Sequence, residues 1–140
     1  MTSNTYSLPL PVPQQQWDRY WEGTKAHELW IMRCNDCNEA YFYPRPICPK
    51  CFSRNTEWFQ ASGKGTLHAF AIVHRGPTAA FRDAVPYVVA MIELEEGPRM
   101  PSNLVEVTME PEHIKIGMPV EVVYEDVTDA ITLPKFRPAG

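Results

Sequence analysis

The chain has no apolar stretch approaching the roughly 20 residues that a helix needs to cross a bilayer. Its opening MTSNTYSLPLPVPQQQ has neither a basic start nor an apolar run of signal-peptide length. A cytoplasmic location without a membrane partner is the expectation. Also missing are a G-x-S-x-G elbow, a phosphate-binding P-loop and a dinucleotide fingerprint, which removes the sites of common hydrolases, NTPases and dehydrogenases. His27-Glu28 is not followed by the second histidine of a helical metalloprotease, and His27, His68, His74 and His113 share no spacing. Each reads as a surface or packing residue. Positive charge is in deficit as well. The formal net charge is -4 over 140 residues, with six basic and six acidic side chains in residues 1–60 and seven against eleven in 61–140. A broad phosphate-binding face is therefore not expected in the C-terminal part.

Proline, by contrast, is abundant. Its 14 copies are about twice the usual ~5% share and recur along the whole chain, which favours short strands and shaped loops over long helices. A mainly β protein follows. Pro9, Pro11 and Pro13 make the start an extended arm. From Gln14 to about Lys25, Trp17, Tyr20 and Trp21 share one helical face, and Gly23 sits near the end of a short amphipathic helix. Two tryptophans on one face either pack into the core or dock on a partner. Leu29 to Arg33 and Glu57 to Phe59 read as strands entering and leaving the cysteine region. After Gly63 and Gly65, strand signals recur over 66–74, 87–94, 103–107, 120–125 and 130–133, which suggests a small five-stranded barrel. The implied organisation is 1–28 arm and helix, 29–60 a small module around four cysteines whose spacing reads as a zinc ribbon, and 61–140 barrel with a C-terminal tail.

Four cysteines carry the strongest chemical signal. Cys34-x2-Cys37 and Cys48-x2-Cys51 are separated by ten residues, so two knuckles joined by a hairpin can supply a tetrahedral four-thiolate shell. Softness and geometry favour Zn2+, with iron the usual alternative. The shell consumes every cysteine and leaves no open position for water or substrate, so the metal is read as structural, not catalytic. Charge agrees. Four thiolates and one zinc carry -2, whereas residues 33–54 hold Arg33, Arg45, Lys50 and Arg54 against Asp36 and Glu39. A pair of redox dithiols is the competing reading, since Cys48-Pro-Lys-Cys51 loosely resembles a thioredoxin-type site, but the surrounding βαβ pattern is missing.

Two further stretches have binding potential. The 75–86 loop is long for a hairpin and is expected to expose Phe81 beside Arg82 with Arg75 at its start, a combination favoured at interfaces. Near the C-terminus, Lys135, Phe136 and Arg137 place an aromatic between two cations. Both read either as solvated loop and tail, or as residues that capture phosphates or an acyl chain at a subunit boundary.

The ordered set of motifs resembles a known family, the rubredoxin-like zinc ribbon fused to an OB-fold, found as acyl-CoA-associated partners of thiolase-fold enzymes. The resemblance rests on the aromatic helix, Cys34-Asn-Asp-Cys37, Tyr43-Pro-Arg-Pro46, Cys48-Pro-Lys-Cys51, Gly63-Lys-Gly-Thr66, Pro86-Tyr-Val-Val-Ala90, Ile116-Gly-Met-Pro-Val120 and Pro134-Lys-Phe-Arg-Pro138. It implies a non-catalytic accessory subunit in a hetero-oligomer with a thiolase-fold enzyme, helping to position coenzyme A thioesters for acyl transfer, condensation, or retro-aldol or thiolytic cleavage. Trp17, Trp21, Arg75, Phe81, Arg82, Lys135, Phe136 and Arg137 are the candidate contacts to CoA or partner. Asn38 and Phe52 stand where a glycine often follows each cysteine pair. Phenylalanine resists positive φ, so a differently shaped second knuckle is expected. The alternative function is a single-stranded nucleic-acid-binding module, which the acidic balance opposes because strand binding relies on a cationic groove.

Overall fold

A computed structural model describes residues 8–12, 17–76 and 78–139. The start of the arm and the expected first turn of the helix, 14–16, lie outside the described residues. Helix α1 covers Asp18–Lys25. Gly23 lies within it and does not end it. A Cβ there would sit 2.5 Å from Trp30 Cδ1 and 3.1 Å from the Glu28 carbonyl oxygen, so this glycine permits close packing of helix on strand. Strands β1 (Leu29–Cys34), β2 (Ala40–Tyr41) and β3 (Thr56–Ala61) form an antiparallel sheet in the order β2-β1-β3. Arg33 pairs with Ala40 on one side and Glu57 on the other, which brings the two cysteine knuckles together at one end of the sheet.

Strands β4 (Lys64–Val73), β5 (Tyr87–Leu94), β6 (Arg99–Leu104), β7 (Pro119–Asp126) and β8 (Thr132–Pro138) close a barrel in the order β4-β5-β6-β8-β7. A register shift between Leu67 and Ala69 bends β4, which pairs with β5 along its length but with β7 only over 64–66. Gly65 is required where the strands converge, because a Cβ would meet the Glu93 carbonyl oxygen at 2.5 Å. The five expected strands exist, but two are displaced. The strand placed at 103–107 runs instead over Arg99–Leu104, and the one placed at 130–133 runs over Thr132–Pro138.

Both displacements have one cause. Pro101 and Pro134 argue against strand interiors, yet the β6–β8 contact is a single parallel pair, Leu104 with Phe136. A missing N–H is tolerated where so little ladder exists. The seam is reinforced by Val105 N–H donating to the Phe136 carbonyl at 2.8 Å and by the Ser102 hydroxyl donating to the Pro134 carbonyl at 3.1 Å.

The sheet of the ribbon and the barrel share one core. Tyr20, Leu29, Ile31 and Ala61 pack in the same buried cluster as Leu67, Ile92, Leu104 and Phe136. Among the described residues no helix is long and apolar enough to cross a membrane.

Candidate functional site

The four cysteines are held by two knuckles of the same shape. In the first, the Asn38 amide donates to the Cys34 carbonyl at 2.9 Å and the Cys34 amide to the Glu39 carbonyl at 2.9 Å. In the second, the Phe52 amide donates to the Cys48 carbonyl at 3.0 Å and the Cys48 amide to the Ser53 carbonyl at 2.9 Å. Asn38 and Phe52 have φ of 62° and 64°. The second knuckle is therefore not reshaped by its phenylalanine, contrary to expectation. The backbone geometry needed to close the sulfur shell prevails, and the ring points outward, 76% exposed. The Asp36 carboxylate braces one knuckle on the other by accepting from the Ser53 hydroxyl and, at 3.0 Å, from Asn55 Nδ2. The Ser53 hydroxyl, then the Asn55 amide, hold the Asp36 carboxyl below the ordinary carboxylate range.

All four Sγ atoms lie within 4.8 Å of one another. Cys34 and Cys51 sulfurs are 3.5 Å apart, and those of Cys37 and Cys48 are 3.7 Å apart. A Zn–S bond of about 2.3 Å sets tetrahedron edges of about 3.8 Å, so the donor set fits a zinc ion. Backbone N–H groups of Lys50 and Cys51 point at Cys48 Sγ, at 3.3 and 3.5 Å. The Cys51 amide foremost brings the Cys48 thiol down to about 6, favouring the thiolate that a metal requires.

The remaining candidate residues separate into three groups. Trp17 and Trp21 are half-buried against the core. Trp17 meets Tyr20 edge-on at 5.5 Å, and Trp21 meets it at 5.0 Å. The C-terminal trio is a correction. It is part of β8, not a tail, and Phe136 is fully buried in the barrel, so it presents nothing to a ligand. Strand alternation turns Lys135 and Arg137 the other way, where Lys135 pairs with Glu125, and Arg137 with Glu121 at 2.8 Å and Glu106 at 3.5 Å. Arg75, Phe81 and Arg82 do converge, on the loop between β4 and β5. Phe81 closes a short 3₁₀ turn, Ala79–Phe81, and is half-buried with its ring 5.7 Å from that of Tyr87, more enclosed than the sequence suggested. Arg75 and Arg82 line a cavity of about 580 Å³ together with His74 and Thr78. Among the described residues neither arginine forms an ion pair, whereas Arg19, Arg33, Lys50, Arg99, Lys135 and Arg137 all do.

Sequence reasoning missed the Asp36–Ser53–Asn55 brace and the place of His74 in the cavity wall. The brace has a faint signal, an aspartate inside one knuckle opposite a serine and an asparagine after the other. His74 has none.

Comparison with known proteins adds the family. Residues 21–57 match the rubredoxin-like zinc ribbon domain described for ChsH2, and residues 58–125 match the ChsH2 C-terminal OB-fold domain. A DUF35 domain-containing scaffold protein of Methanocaldococcus jannaschii is 40% identical over 129 residues, with 86% of this chain and 89% of that protein covered. This chain belongs to the DUF35 family. A solved structure, the Ltp2-ChsH2(DUF35) aldolase, superposes with a TM-score of 0.78 at 37% identity, covering 94% of this chain and all of the matched one. A probable enoyl-CoA hydratase alpha subunit of Thermomonospora curvata is 37% identical over 131 residues. The chain spans 94% of itself but only 40% of that longer relative. The likeness confirms the zinc ribbon joined to an OB-fold, the family identified from the ordered motifs.

Proposed function

We propose that this DUF35 chain is a non-catalytic accessory subunit of an enzyme complex acting on acyl-CoA thioesters, that its partner is a thiolase-fold chain, and that the β4–β5 loop helps hold coenzyme A. The observation that carries the reading is the pair of unneutralised cations, Arg75 and Arg82, set round one cavity on an otherwise acidic barrel. Two guanidiniums free of carboxylates suit the phosphates of a CoA moiety. The names of the relatives, a hydratase alpha subunit, an aldolase complex and a scaffold protein, support an accessory role in such complexes. The metal supports it too: a closed four-thiolate shell organises the chain around it and leaves no position for substrate. Acyl chemistry is then performed by groups on the partner. Trp17 and Trp21, half-buried at one edge, and the 74–86 loop are the surfaces assigned to assembly.

The nucleic-acid alternative gains nothing from the site. Among the described residues six of the cations are already paired with carboxylates, which lowers the positive charge available to a strand. The deciding experiment is purification from the native cell followed by assay on an acyl-CoA. A thiolase-fold chain should travel with this protein, and turnover should need both. Replacing Arg75 and Arg82 together by glutamate should weaken CoA binding by tenfold or more with zinc content unchanged. Recovery as a lone chain that binds oligonucleotides at moderate salt refutes the proposal.

A further inference from the structure

A second cavity lies on the other side of the same loop. It holds about 320 Å³ and is walled by Leu8 and Pro11 of the arm, Phe81 of the loop, Leu104 and Met109 beyond β5, and Leu133 of β8. That volume stays open with Leu8, Pro9 and Pro11 already in place, so these three residues are wall and not occupant. The size falls at the low end of small-ligand sites. Its lining is mostly apolar, which gives ordered water few partners there.

Three lining residues carry polar side-chain groups, Tyr87, Asn103 and Lys135, and the two that bear nitrogen are both engaged. Lys135 is held by Glu125, and Asn103 Nδ2 donates to the Val88 carbonyl at 3.0 Å. An ionised carboxylate brought to this groove would be desolvated without a free cation to receive it. An aliphatic chain with an uncharged end meets no such cost. Phe81 and Arg82, adjacent in sequence, line the apolar groove and the cationic cavity respectively. One loop thus carries an apolar surface next to an anion-binding one.

We propose that this groove is a binding site for the aliphatic chain of an acyl thioester. The uncharged-head assignment rests on the CoA reading above, while the groove itself stands on its lining. Titration calorimetry of the full zinc-loaded chain with CoA, hexanoyl-CoA, octanoyl-CoA, decanoyl-CoA and sodium decanoate tests it. Affinity should rise about fourfold per added methylene, on the order of two-hundredfold from hexanoyl- to decanoyl-CoA, with decanoate weaker than its thioester. Phe81→Asp should flatten that dependence while zinc content is kept. Should that variant fail to fold, Met109→Lys, at a half-buried loop position, gives the same readout. Equal affinity for CoA and all three thioesters overturns the groove and leaves the CoA reading intact. Absence of binding to any probe overturns the proposal, as does unchanged chain-length dependence in a folded variant. Decanoate binding as tightly as decanoyl-CoA overturns the uncharged-head assignment.

Discussion

Replacing Phe52 by glycine should stabilise this protein. At φ 64° the phenylalanine occupies the left-handed region, which costs an L-residue with a Cβ roughly 1–2 kcal/mol. Glycine removes that cost but returns roughly 0.5–1 kcal/mol through greater freedom of the unfolded chain. The ring is 76% exposed, so little apolar burial is lost with it. The balance is a gain of about 0.5–1 kcal/mol, a rise of about 2–4 °C in melting temperature for a chain of this size. Asn38→Phe supplies the mirror test. That position has φ 62° and the same amide-to-carbonyl closure, so phenylalanine there should cost about 1 kcal/mol. Thermal melts of the zinc-loaded proteins by circular dichroism, with zinc release to a chromophoric chelator as a second readout, measure both. A glycine variant less stable than the parent by 1 kcal/mol, or a neutral Asn38→Phe, would refute the shared left-handed geometry.

Phe136→Ala should cost about 3–5 kcal/mol, since the side chain is fully buried, whereas Arg137→Ala next to it should cost about 1 kcal/mol or less; chemical denaturation separates the two. Stripping the metal with a chelator should lower tryptophan and far-ultraviolet signals in one transition, because ribbon and barrel share a core; loss of the tryptophan signal alone would show two independent units. The Thr132 hydroxyl foremost, then His27, hold the Asp126 carboxyl below its ordinary range. Its folded pKa is depressed, so the stabilisation is complete above the unfolded value of about 3.9 and is lost as pH falls through the folded one. Denaturation midpoints below pH 4 should therefore decline less steeply for Asp126→Asn than for the parent; parallel profiles would discount that contact.

The metal site was legible because a metal demands fixed residue types at fixed spacing, whereas the sheet order β2-β1-β3 that brings the two knuckles together was not. The helix and five strands were legible through periodicity and turn residues. What escaped was long-range. Phe136 lies between two cations in a proline-flanked stretch, and its burial depends on β7 pairing Val122 opposite it. Pro101 and Pro134 mislead for a related reason: a proline's cost depends on whether a neighbour needs its N–H, which only the closed barrel decides. The convergence of His74 with Arg75 and Arg82 follows from a loop path that no local signal fixes.

The thin join between β6 and β8 has a kinetic consequence. The β4–β5–β6 meander and the β7–β8 hairpin are each built from contacts close in sequence, while Leu104 and Phe136 meet across a long loop whose closure entropy is paid before the contact repays it. Barrel closure is then the late event in folding. Substitutions confined to this join, such as Ser102→Ala, which deletes the hydroxyl bond to Pro134, should speed unfolding while leaving the folding rate nearly unchanged. The same join is where the barrel should first exchange its amide protons without unfolding as a whole.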